Sequence, residues 1–300
     1  MTSVVIPVLD GAHVLRWSVP AVLALRDVGE FVWVDDGSTD GTGRVLDALL
    51  AAEPRARTLR LPENAGRAAA RNAGVAATTG DVLVFLDVDV RPPPDAAERF
   101  SAALGAPGAL ATVARLAPVG LDARDPYGLY LLRHRRGVPD VAAGQPVPWK
   151  HFVTAACAVR RDAFRTAGGF DEGVEYGEDL ALAVALARAA PRGLVATGVT
   201  VEARDNGTLT TALAKVAQFG RALPTLAERA PDVYRVAGLG VLVRPTLASR
   251  LAAWTPLARV VRGLLPTLPL AVRVRAVRYL LGHTLLDAHA RASSHARSRR

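Results

Sequence analysis

The stretch Asp81-Val82-Leu83-Val84-Phe85-Leu86-Asp87-Val88-Asp89-Val90 constrains this chain more than any other. Its first half is a short apolar run of Val, Leu and Phe, the pattern of a strand covered on both faces in a parallel sheet. It runs into two carboxylates one residue apart, then Arg91 and three prolines, Pro92 to Pro94. Proline cannot donate to a sheet ladder, so the strand is expected to stop at the acids. In open α/β sheets, ligands gather outside the carboxyl ends of the strands, which puts Asp87 and Asp89 at the ligand edge. Two neighbouring carboxylates repel unless a positive charge lies between them. A hard divalent cation that also holds phosphate oxygens meets that need; solvated loop acids are the alternative.

The segments before this strand repeat one rhythm. Strands are predicted over 3–9, 31–34 and 57–61, with helices over 12–25, from about 42 to 50, and from Asn64-Ala65-Gly66-Arg67 through Ala77. Strands alternating with helices at this spacing give a doubly wound, mostly parallel sheet. After the prolines the pattern predicts helices over 95–104, 125–136, 161–166 and 178–190, and strands over 110–116, 152–159 and 194–201. Strand signals then cease. Helices broken by prolines are expected over 209–223, 233–243 and 268–289, followed by an unstructured basic end, 292–300. The domain reading is therefore 1–205 for an α/β domain and 206–300 for a helical extension.

Charge supports that division. The net charge is +9, yet residues 244–300 alone hold eleven arginines and one acid, Asp287. The rest is close to neutral, so a uniformly basic nucleic-acid binder is not indicated. Arginines alternating with Leu, Val and Ala suit a helix lying on an anionic membrane surface, or an ordinary helical cap with solvated arginines. Cys157 is the only cysteine, which rules out an internal disulfide and a cysteine-based zinc site, and fits a cytoplasmic protein. No run is apolar and long enough for a membrane-spanning helix, and with a strand signal starting at Ser3 no signal peptide is expected.

Four acid-bearing loops fall at the expected ligand edge: Asp10, Asp35-Asp36, Asp87-Asp89 and Glu178-Asp179. With Val4-Val5-Ile6-Pro7-Val8, Asp35-Asp36-Gly37-Ser38, Asn64-Ala65-Gly66-Arg67, Ala70-Arg71-Asn72, Gly168-Gly169-Phe170-Asp171 and Gly177-Glu178-Asp179, they resemble the family 2 glycosyltransferases of the GT-A fold. The resemblance implies an inverting, metal-dependent transfer of a sugar, a hexose in the usual case, from a nucleoside-diphosphate sugar to an acceptor hydroxyl. It implies a donor cradle of Pro7, Val8, Leu9, Asp36, Gly66, Arg67, Arg71 and Asp87, with Asp36 on the base, uracil in many relatives. It implies Mg or Mn on Asp89 and Asp87, and Asp179 with Glu178 as the catalytic acids, Asp179 as general base. Physical chemistry adds its own support: a helix start with a cation suits a diphosphate. For Arg71 a second reading stays open, as structural partner of Asp87 or Asp36. Asp36 also fits a helix N-cap or Asx-turn residue, and Glu178-Asp179 fit first-turn acids favoured by the helix dipole.

Departures from the family pattern bear mostly on the acceptor. Leu9 and Asp10 replace an aromatic and an Asn, and Ala181, Val184 and Ala185 stand where relatives carry polar residues. The segment from Thr208 to Pro231 resembles the region after the catalytic domain in mycofactocin-type glycosyltransferases. A catalytically impaired nucleotide-sugar-binding protein and a basic-tail binder of nucleic acid or membrane remain as alternatives. A nicotinamide oxidoreductase is excluded by the lack of a G-x-G-x-x-G turn.

Overall fold

The computed structural model describes residues 1–122, 125–133, 136–138, 140–204, 207–243 and 255–298. Arg244, Arg250, Arg299 and Arg300 of the basic tail lie outside them. The chain forms two compact units, Met1–Ala117 with Arg136–Arg204, and Pro118–Arg135 with Asp205–Arg300.

The first unit opens as the alternating pattern predicts. Strands β1 (Thr2–Val8), β2 (Glu30–Asp35), β3 (Ala56–Arg60) and β4 (Val82–Leu86) are separated by helices α1 (Ala12–Leu23), α2 (Thr42–Leu50) and α3 (Arg67–Ala76). β1 pairs in parallel with β2 and β4, and β2 with β3, so that Val5 lies between Val32 and Phe85. All three are fully buried, which is why these strands read as unbroken apolar runs. Gly74 of α3 lets that helix lie flat on the sheet, since an added Cβ would sit 2.4 Å from a Val5 methyl.

The second half of the unit departs from a simple parallel sheet. It comprises β5 (Val90–Arg91), α4 (Ala96–Leu104), β6 (Ala111–Val119), β7 (Arg136–Gly137), β8 (Ala156–Arg160), α6 (Arg161–Thr166), α7 (Glu178–Ala189) and β9 (Leu194–Arg204). Among the described residues the strand order is β3-β2-β1-β4-β8-β6-β9-β5, with β7 on β6. β8 enters antiparallel between β4 and β6, and β5 pairs antiparallel with β9. The apolar pattern of β8 marks it as buried but does not encode its direction. The strand predicted over 152–159 starts at Ala156, after a 3-10 turn at Trp149–His151.

β4 does stop before the acids, but a two-residue strand resumes at Val90, ahead of the prolines. That pairing forces a curl. Leu86 and Val90 are at most about 14 Å apart along the chain, while four strand steps across a flat sheet span about 19 Å. The sheet must bend back so that β5 arrives near the end of β4, and Asp87 to Asp89 form the turn at that seam.

The second unit holds α5 (Pro126–Arg133), α8 (Leu209–Arg229), α9 (Val233–Val236), α10 (Gly240–Val243), α11 (Thr255–Leu264) and α12 (Leu270–Ser298). Three expectations change here. Residues 118–135 belong with the C-terminal helices, because Tyr127 and Tyr130 pack against a cluster containing Leu213, Val277 and Leu280. α8 continues through Pro224 instead of stopping before it. Its packing on α12, where Gly220 lies so close that an added Cβ would be 2.9 Å from the Leu285 carbonyl, outweighs the lost backbone bond. The predicted loose end is helical through Ser298. A polar, basic composition does not by itself exclude a helix.

Candidate active site

The site lies within the first unit, at the ends of β1, β2 and β4. β1 delivers Pro7, Val8 and Leu9; Val8 is buried beside Asp35, and Leu9 is 44% exposed. Asp10 holds a positive φ of 50° and reaches across to the next loop. Its Oδ1 accepts the Thr39 N–H at 2.9 Å, and its own N–H donates to Ser38 Oγ at 2.9 Å. The two loops are thus tied into one rim.

Asp36 is 3% exposed. Its carboxylate oxygens accept the N–H groups of Ala65 at 2.7 Å and Gly66 at 3.0 Å. In this structure Asp36 anchors the start of α3; a nucleobase N–H would add to those bonds through the remaining lone pairs. The anchor needs Gly37 beneath it, with φ 75° and an added Cβ only 2.5 Å from the Glu63 carbonyl carbon. Gly66, φ 91°, then starts α3. Arg67 in its first turn is half exposed, 5.5 Å over the Tyr176 ring, with Nε 3.4 Å from Glu178 Oε1.

Arg71 resolves into the structural alternative. It is 1% exposed, donating from Nη1 to Glu178 Oε1 at 2.7 Å and from Nη2 to Asp87 Oδ1 at 3.0 Å. The Phe170 ring covers the guanidinium at 5.5 Å. Arg71 is thus buried and bonded to both Asp87 and Glu178. The next residue, Asn72, exchanges hydrogen bonds with the Phe170 backbone, at 2.8 Å and 3.0 Å. Asn72 and Phe170 were legible only as motif letters. Their pairing explains the motif: adjacent residues of α3 grip the loop leading into α7 and the first residue of α7.

Asp87 is 38% exposed at its side chain, and its N–H donates to the Ala155 carbonyl at 3.0 Å. Asp89 is part-exposed, and its carbonyl accepts the Arg204 N–H from β9 at 2.9 Å. Among the described residues, no three His, Cys, Asp or Glu side chains gather to hold a metal ion. Among the described residues, Asp87 and Asp89 offer two carboxylates at the end of β4. That donor set fits Mg or Mn, which bind through one or two carboxylates, substrate phosphates and water, and not a cage of protein ligands.

Gly177, φ 89°, starts α7 and places Glu178 and Asp179 in its first turn. The Glu178 side chain is 4% exposed and held by Arg71. Asp179 keeps partial exposure, and its Oδ1 accepts the Leu180 N–H at 2.8 Å. Burial of its carboxyl, and next the adjacent Glu178 charge, push it up to about 6 against the pull of Arg71. A carboxylate poised there can take a proton near neutral pH. All the predicted site residues are thus in one unit, with Asp87 and Glu178 joined by a single arginine.

Comparison with known proteins bears on the family and the fold. The family model for glycosyl transferase family 2 matches residues 3–168. The chain is 34% identical over 237 residues to the pre-mycofactocin glycosyltransferase of Mycobacterium tuberculosis, covering 77% of this chain and 48% of that protein. It spans about half the length of that relative. Among solved structures, S. aureus TarS 1-349 in complex with UDP-GlcNAc matches with a TM-score of 0.60 at 14% identity, over 99% of this chain and 92% of that one. The mannosyltransferase PcManGT from Pyrobaculum calidifontis, in complex with GDP-Man and Mn2+, matches with a TM-score of 0.55 at 18% identity, over 95% and 86%. These neighbours share the GT-A fold, and the sequence match decides the family: the chain belongs to glycosyl transferase family 2.

Proposed function

We propose that this chain transfers a sugar from a nucleoside-diphosphate sugar, a UDP-sugar first among candidates, to an acceptor hydroxyl with inversion at the anomeric carbon. The observation that carries the reading is the Arg71 bridge: it ties the strand-end acid Asp87 to the helix that bears Asp179. A donor side and a proton acceptor are thereby held in one unit. Pro7, Val8 and Leu9 with the Asp36 loop receive the nucleoside, and Gly66 with Arg67 receives the diphosphate at the start of α3. Asp179 takes the acceptor's proton as its oxygen attacks opposite the leaving diphosphate, and a single displacement inverts the centre.

Asp89 and Asp87 would hold Mg or Mn. Bound there, the ion supplies Lewis-acid neutralisation of the departing diphosphate. The relatives' complexes with UDP-GlcNAc and with GDP-Man and Mn2+ support the donor class and the metal. The test is a thermal-shift screen of nucleoside diphosphates with and without Mn. Asp89→Ala should abolish the Mn-dependent part of the UDP shift; an unchanged Mn response would remove Asp89 from the metal site.

A second reading concerns the helical unit. Leu257, Val260 and Leu264 recur at helical spacing on α11 and are 40%, 56% and 51% exposed. Arg259 and Arg262 share that helix, and no acid does. Among the described residues no helix is long and apolar enough to cross a membrane. This favours contact with an anionic membrane surface through α11. Val260→Glu with Leu264→Glu should weaken binding to phosphatidylglycerol vesicles by about fivefold or more. Cosedimentation equal to wild type would leave α11 as a solvated cap.

A further inference from the structure

Arg71 carries more than a packing role. Its side chain is 2% exposed and splits its donors between a 38%-exposed carboxylate, Asp87, and a 4%-exposed one, Glu178. Its Nε is buried with no hydrogen-bond partner among the described residues, so the guanidinium is held mainly by its two charge-assisted bonds, with the Phe170 ring over it. A shared cation distributes its field: whatever draws on Asp87 leaves more of Arg71 for Glu178, and the reverse. Glu178 is in turn the covalent neighbour of Asp179.

We propose that Arg71 and Glu178 are positioning residues forming a relay, in which what occupies Asp87 is felt at Asp179. The inference rests on the reading of Asp179 as base and of Asp87 as donor-side acid. Neither Arg71 nor Glu178 needs to touch substrate. The charged groups acting on Asp179 are Glu178, which raises its proton affinity, and Arg71 and Arg67, which lower it. The Cys157 thiol of β8 is fully buried and pushed upward by burial, so it stays neutral and adds no charge. Binding of a cation at Asp87 would release part of Arg71 to the Glu178 side. The base would then give up its own proton more readily when the donor is in place.

The relay is tested in ligand-free protein by following the Asp179 carboxyl through pH with 13C NMR, assigned by Asp179→Asn. Glu178→Gln removes the neighbouring negative charge and should lower the Asp179 midpoint by about one pH unit. Asp87→Asn, which leaves Asp179 and its helix untouched, should lower it as well, and this shift should largely disappear in an Arg71→Lys background. A midpoint unmoved by Glu178→Gln, or an Asp87→Asn shift of equal size with Lys at position 71, overturns the relay. Circular dichroism confirms that each variant is folded. Because both arms omit the donor, failure of the glycosyl-transfer reading shows separately, as UDP binding that ignores Mn.

Discussion

Asp179→Asn should reduce turnover by about a thousandfold, the scale of a lost general base, while UDP affinity in Mn stays within about twofold. The direction follows from the site. Asn keeps the size of the side chain and a carbonyl oxygen for the Leu180 N–H, but cannot accept a proton at neutral pH. Wild-type kcat/KM should rise with pH and level off above about 6, where the Asp179 carboxyl, held up by burial and by Glu178, loses its proton. Below that point the rate should fall about tenfold per pH unit, as protonated Asp179 accumulates. The Asn variant should lack this limb. Full activity in the variant would move the base to another residue.

Arg71→Met should destabilise the fold by about 3–5 kcal/mol, read as a lower urea midpoint at unchanged slope. The substitution keeps much of the volume but strands Glu178, whose side chain is 4% exposed, without its nearest cation. Arg67, with Nε 3.4 Å away and its side chain 55% exposed, is a weak substitute. Arg67→Met should accordingly cost under about 1 kcal/mol, as for other solvated pairs. Arg71→Met combined with Glu178→Leu should recover a large share of the loss, because no buried charge is then left unpaired. A loss below about 1 kcal/mol for Arg71→Met alone would mean that Glu178 is hydrated when its partner is removed.

What could be read from the sequence follows from what local pattern encodes. The strand ending at Leu86 was legible because an apolar run of that length meets an acid-rich break. Asp87, Asp89, Glu178 and Asp179 were legible as loop and helix-start acids, and the family pattern gave them order. The antiparallel entry of β8 was not, since burial pattern is the same in either direction. β5 was invisible: two residues between an acid and a proline carry no periodicity, and only pairing with Ala203 and Glu202 makes them a strand. Arg71 stayed ambiguous because its decisive partner, Glu178, is 107 positions away in the chain. The helix through Pro224 ran against a local rule, and packing decided it.

The seam between β4 and β5 bears on how this chain can be cut or grafted. Asp89 is secured by a backbone bond from Arg204, well past the last residue of the 3–168 family match. A fragment ending at the recognisable borders would carry both strand-end aspartates yet lack the strand that fixes one of them, and α7 with it. Transplants meant to exchange specificity should therefore carry everything from Thr2 to Arg204 as a single cassette.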